Sequence, residues 1–87
     1  MVSQKVLISN PAGLHLHPAG ELCKTASSFE SRVTFLFNES VSNAKSVLSV
    51  LGACVKSGDE IEMICEGEDE EAALKAVVDV LTNGFSD

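Results

Sequence analysis

Pro18 constrains this chain more than any other single residue. It sits in Gly13-Leu14-His15-Leu16-His17-Pro18-Ala19-Gly20, between an extended apolar segment and the first helical pattern. Its fixed φ and missing N–H suit the first turn of a helix. The residue before a proline avoids the α region, so His17 is expected to be extended and the helix to start at or near Pro18. His15 then belongs to the last loop residues ahead of a helix N-terminus. Unpaired backbone N–H groups and the positive end of the dipole make such a place an anion site. An imidazole beside a positive dipole end is favoured in its neutral, nucleophilic form. A phosphoryl group carried on that ring would find donors already in place.

Two other readings of the same residues stand beside this one. A histidine in a loop flanked by glycine and proline can be a plain solvated residue. His15, His17 and Cys23 could also be metal ligands. His-x-His presents both rings on one side only in a strand, however, and Pro18 argues against a continuing strand. Cys23 falls more than a helical turn away, on the expected buried stripe. No metal or other cofactor is therefore expected.

Eighty-seven residues, 45% of them hydrophobic, suffice for one domain, residues 1–87, with a modest core. No apolar run is long enough to span a bilayer. Met1-Val2-Ser3-Gln4-Lys5 lacks the pattern of a signal peptide, so a soluble cytoplasmic protein is expected. The net charge of −7 opposes nucleic-acid binding. That charge is uneven: acids crowd the stretch Glu60–Glu71, whereas none lies between Leu7 and Gly20. An acid-free segment favours anion handling near His15, within a screening length of about 8 Å. Cys23, Cys54 and Cys65 show no CxxC spacing and lie among apolar neighbours in sequence. They read as small hydrophobes in a reducing compartment, without disulfides or zinc.

Val2 to Ser9 alternates, with Val2, Val6 and Ile8 on one side, as in a half-buried strand. Asn10-Pro11-Ala12-Gly13 breaks it. The first helix is expected from about Pro18 to Ser27, with Ala19, Leu22, Cys23 and Ala26 facing the core. Val33, Phe35 and Phe37 mark a second strand, Asn38-Glu39-Ser40 a turn, and Val41 to Asn43 a short third strand closing a hairpin. A short helix runs from Ser46, suited to N-cap duty, to about Gly52, suited to the exit. Its Val47, Leu48, Val50 and Leu51 exceed one narrow stripe. Either some stay exposed as a docking patch, or the short helix buries them all. Lys56 to Asp59 is a turn, and Ile61, Met63 and Cys65 are the inner face of a fourth strand. A final helix spans about Asp69 to Thr82, with Ala73, Ala76, Val77, Val80 and Leu81 inward, and stops at Asn83-Gly84. Its acidic first turn complements the dipole and reads as a solvated face. The order β-α-β-β-α-β-α predicts an α+β two-layer domain, an antiparallel or mixed sheet with the helices on one face.

Gly-Leu-His-x-x-Pro-Ala at positions 13 to 19, followed by Lys45-Ser46 opening a short apolar helix, resembles HPr, the histidine-containing phosphocarrier of the bacterial sugar phosphotransferase system. The resemblance spans essentially the whole chain, and the two motifs together at this spacing are specific. It implies an open-faced sandwich, a four-stranded antiparallel sheet under three helices. It implies that His15 accepts a phosphoryl group from enzyme I, itself charged by phosphoenolpyruvate, and passes it to the IIA units of sugar transporters. The backbone N–H groups of Leu16, His17 and Ala19 would hold the phosphoryl oxygens. Ser46 is similar to the serine modified by an ATP-dependent HPr kinase/phosphorylase, and Val47, Leu48 and Leu51 fall where the family carries its docking patch. A catabolite-control transcription factor is a further implied partner, and a monomer is expected.

Two departures qualify this. Most family members carry Arg where this chain has His17, and commonly a polar residue where it has Ala12. Arginine pairs with phosphoryl oxygens bidentately and is always charged; an imidazole offers at most two donors. A charge-assisted hydrogen bond contributes about 1.5–3 kcal/mol, so slower transfer is expected. His17 as the phosphorylated residue is a further possibility. So is a Crh-like regulatory binding module, controlled through Ser46 with weak or no transfer.

Overall fold

Alternating burial along the strands builds the molecule. The computed structural model describes residues 1–84. Four strands, β1 (Val2–Leu7), β2 (Arg32–Phe37), β3 (Ser40–Asn43) and β4 (Glu60–Glu66), form one sheet in the order β1-β4-β2-β3. Every neighbouring pair is antiparallel. Val6, Val33, Phe35, Ile61, Met63 and Cys65 point to one face and are buried there. Three helices, α1 (Leu16–Ser27), α2 (Val47–Gly52) and α3 (Glu70–Asp79), are amphipathic or apolar enough to cover it. From α1 come Leu22, Cys23 and Ala26, from α2 Val50, and from α3 Ala73 and Val77. The result is an α+β open-faced sandwich. Burial pushes the Cys23 and Cys65 thiols up, which keeps them protonated and inert. Among the described residues no helix is long and apolar enough to cross a membrane.

The hairpin turn is tighter than the sequence suggests. Asn38 and Glu39 alone make it, with φ of 55° and 68°, and Phe37 pairs directly with Ser40. Positive φ at both central residues is the type I′ geometry, whose twist matches that of the strands. Strand β1 ends at Leu7 rather than Ser9. The extended chain nevertheless continues, since Ile8 N–H donates to Asp59 O (2.8 Å) and Ile8 O accepts from Gly58 N–H (2.7 Å).

Helix boundaries differ from expectation at four places. Helix α1 begins at Leu16, two residues ahead of Pro18, so His17 is helical, not extended. Pro18 is tolerated because its missing N–H is one that the first turn leaves unpaired. The carbonyl its ring would strike, that of Leu14, lies outside the helix. Gly52 stays inside α2, and the left-handed exit residue is Cys54, with φ of 57° and its N–H on Leu51 O (3.2 Å). Cys54 is consequently exposed, unlike the other two cysteines. The last helix opens at Glu70, and beyond Asp79 the chain widens into a π-helical turn, Val80–Gly84. The stop expected at Asn83-Gly84 thus falls at the boundary of the described residues.

Asp69 does not start α3 as a solvated cap. Its carboxylate reaches back 38 residues and accepts hydrogen bonds from Glu30 N–H (2.9 Å), Ser31 N–H (2.9 Å) and Ser31 Oγ–H. The Ser31 hydroxyl, then the Glu30 N–H, hold the carboxyl below the usual carboxylate range. Gly67 makes the approach possible: a Cβ there would lie 2.6 Å from Ser31 Oγ. Glu70 completes the corner, accepting from Gly67 N–H (3.1 Å) and facing the Met1 ammonium (3.1 Å).

The loop ahead of α1 is fixed from a distance as well. Gly13 has φ of 65°, and a Cβ on it would sit 2.6 Å from Val55 O and 2.9 Å from Lys56 Cα. Leu14 N–H donates to the same Val55 carbonyl (3.0 Å). Gly13→Ala should lose about 1–3 kcal/mol from backbone strain alone, read as a lower midpoint in thermal or urea unfolding. Asp69→Asn should also unfold at lower temperature near neutral pH. A depressed carboxyl stabilises the fold above its unfolded value, about 4, and that stability is lost as pH falls through the lower folded value. The gap between wild type and Asp69→Asn should therefore close in acid, as urea titrations across that window would show.

Candidate functional site

The N-terminus of α1 is where the chain's chemistry concentrates. His15 is the N-cap residue, extended at φ −82° and ψ −169°. Its carbonyl accepts the first helical hydrogen bond, from Ala19 N–H at 2.8 Å. Its ring makes no capping bond and is exposed, so both imidazole nitrogens stay available to partners. Leu16 and His17 are the first two helical residues, and their N–H groups have no acceptor in the helix. Pro18 brings no third donor, and Ala19 differs from expectation because its N–H is already used by His15 O. The free backbone donors at this helix mouth are therefore those of Leu16 and His17. No acidic side chain lies in the first turn to compete for them.

Rigidity comes from behind the loop. Pro18, Ala19 and Leu14 are buried and tie the helix start to the core. Asn10 shapes the preceding turn: Gly13 N–H donates to its carbonyl (2.8 Å), and its side-chain oxygen accepts from Ala12 N–H (3.4 Å). Ala12 itself is exposed and supplies no polar group. The contribution of Val55 and Lys56 left no mark in the local sequence, because it consists of backbone atoms some 40 residues away. Gly13 was the visible half of that contact.

His17 projects from α1 and is exposed. Cys23, by contrast, is buried on the inner face of the helix, so the three residues considered as a metal set are not brought together. Among the described residues no group of three or more His, Cys, Asp or Glu could hold a metal ion.

Ser46 lies apart, as N-cap of α2, where its Oγ accepts from Ser49 N–H (3.3 Å). The four apolar residues of α2 divide. Val50 is fully buried, Val47 and Leu51 are half-buried against the core, and Leu48 is 82% exposed. On α1, Leu16 is 69% exposed. Leu16 is a second exposed apolar side chain, outside the α2 stretch to which such residues were expected to be confined. Its position beside His15 was the signal available.

The family model for the PTS HPr component phosphorylation site matches residues 2–83. Phosphocarrier protein HPr of Lysinibacillus sphaericus is 35% identical over 82 residues, covering 94% of this chain and 93% of its own. The solved structure of HPr-C-His from Thermoanaerobacter tengcongensis superposes with a TM-score of 0.96 at 34% identity, covering 100% of this chain and 98% of the other. The crystal structure of Crh, the Bacillus subtilis catabolite repression protein, solved as a swapped dimer, matches at a TM-score of 0.78 and 31% identity, with both chains fully covered. Sequence and fold agree over the full length, and the chain belongs to the HPr family of phosphocarriers of the phosphotransferase system.

Proposed function

We propose that His15 is the phosphoryl acceptor, taking the group from enzyme I and giving it to IIA units of sugar transporters. The observation that carries this is an unencumbered imidazole on the N-cap of α1 beside two orphan N–H donors. In the forward step an imidazole nitrogen attacks phosphorus, a P–N bond forms, and the bond from phosphorus to enzyme I breaks. The transferred oxygens then face the N–H groups of Leu16 and His17 and the positive helix end. In the second step a nucleophile on the IIA unit takes the same phosphorus and returns the ring. No cofactor is needed for either step. Exposure of the ring suits a carrier, since two partners must reach one atom in turn. Leu48 and Leu16, with Val47 and Leu51 beside them, provide an apolar surface for such partners. The setting that fits is cytoplasmic, with the chain acting as a monomer.

Ser46 is the proposed regulatory residue, modified by an HPr kinase/phosphorylase. Phosphate there would add about −1.5 to −2 charges at the start of α2, directly before Val47 and Leu48. The dipole tolerates the charge locally while an acidic partner is repelled. A catabolite-control transcription factor would be the partner favoured instead. The replacement of the family arginine by His17 supports a second reading, a Crh-like regulatory module whose output is Ser46-dependent binding. Likeness to the Crh structure accords with it.

Incubation with phosphoenolpyruvate and enzyme I should place one acid-labile phosphate on the wild type and none on His15→Ala. Labelling that survives in His15→Ala, or fails in the wild type, overturns the carrier reading. His17→Arg should speed transfer by about ten- to a hundredfold, as expected from adding one charge-assisted contact of about 1.5–3 kcal/mol. Treatment with kinase and ATP should label wild type but not Ser46→Ala. A chain labelled only at Ser46 supports the Crh-like reading, and one labelled only at His15 removes it.

A further inference from the structure

Arg32 is the only arginine in a chain with 13 acids, yet it makes no ion pair among the described residues. It stands exposed at the start of β2. Lys45 follows β3 closely, and its Nζ donates to Phe29 O (2.8 Å), which fixes the ammonium at the same end of the sheet. Arg32, Lys45, Thr34, Ser42, Asn43 and Val41 line a cavity of about 420 Å³. Its lining holds two cations and no carboxylate, the reverse of the molecule's overall charge.

Two acids close in register or fold are otherwise placed or engaged. Glu66 is the register partner of Arg32 on β4, whereas the cavity lies on the β3 side of β2. Asp69 is occupied by Glu30 and Ser31. Donor capacity remains after these contacts. A guanidinium carries five N–H groups, and an ammonium with one bond to Phe29 O keeps two. Asn43 Oδ1 accepts from Lys45 N–H (2.9 Å), which leaves its amide NH₂ to donate outward. The lining is thus rich in donors, with the Thr34 hydroxyl beside them. Its volume exceeds what inorganic phosphate fills and lies in the range of small-molecule sites.

We infer that this cavity binds a small phosphate monoester bearing hydroxyl groups, its phosphate held by Arg32 and Lys45 and its hydroxyls by Thr34 and Asn43, which are register partners on one face of the sheet. Arginine matches the phosphate oxygens bidentately and lysine adds a point charge. Each hydroxyl of the ligand meets a group that both donates and accepts. The site is separate from the helix mouth at His15 and does not depend on it.

The full-length chain, ¹⁵N-labelled, should be titrated with glucose 6-phosphate, inorganic phosphate and glucose at matched ionic strength. Glucose 6-phosphate should shift amides in residues 32–34 and 41–45 with millimolar affinity, inorganic phosphate should bind more weakly, and glucose not at all. Arg32→Gln and Lys45→Gln should each weaken ester binding by about tenfold or more. Arg32→Gln, on an exposed strand position, should keep phosphoenolpyruvate-dependent labelling of His15. Shifts confined to residues 15–19, wild-type affinity in Arg32→Gln, or no response to the ester would overturn the site. Equal affinity for phosphate and ester would overturn its assignment to an ester.

Discussion

A backbone contact between two loops holds the site together. The Val55 carbonyl accepts the Leu14 N–H, and the same carbonyl lies where a side chain on Gly13 would have to go. The contact restrains the loop, and the conformation it holds delivers His15 to the N-cap of α1. The partner strand of chain, residues 54–56, is itself set by the left-handed exit of α2 at Cys54 and by the Lys56–Asp59 turn. That turn in turn grips Ile8, the residue after β1. The histidine is therefore positioned by main-chain atoms from three separate segments.

Charge is sorted along the fold in a way that composition hides. The loop before α1 and the first turn of α1 carry no acid, while the corner before α3 is dense with them. At that corner Asp69 and Glu70 are consumed by N–H groups, a hydroxyl and the amino terminus, and both carboxyls are held below their ordinary range. Acids in this protein thus serve as structural acceptors as well as a solvated surface. An anion at His15 would meet the orphan donors of Leu16 and His17, with no acid in the first turn of α1 to compete.

The elements whose sides differ in polarity were legible in the sequence. Val6, Ile8, Val33, Phe35, Ile61, Met63 and Cys65 lie on the buried face as alternation requires, and Ala19, Leu22, Cys23 and Ala26 follow the helical period into the core. His15, Pro18 and Ser46 were visible too, because loop breakers and caps act locally. The misjudged positions have non-local or small local energies. Steric bias against an α conformation at His17 yields to a helix that buries Pro18 and Ala19. Asp69 prefers three donors across the fold to one helix cap. Cys54 takes a conformation suited to glycine since the Val55 contact fixes where α2 must end. Each was decided by a partner tens of residues away, which no local pattern encodes.

Main-chain donors make the proposed site independent of the side chain at position 17. The N–H groups of Leu16 and His17 are orphaned by helix geometry whatever side chain stands at position 17. For a phosphoryl group on His15 they provide directed hydrogen bonds and the dipole provides sign. An arginine at that position would add a charge-assisted fork, and an imidazole adds less. For the proposed role of His15 the difference would be one of rate, because the backbone contacts that fix the loop do not include the His17 side chain. The side chain at position 17 can therefore change without disturbing the loop, whereas Gly13 cannot: any Cβ there must displace the Val55 carbonyl that its loop packs against.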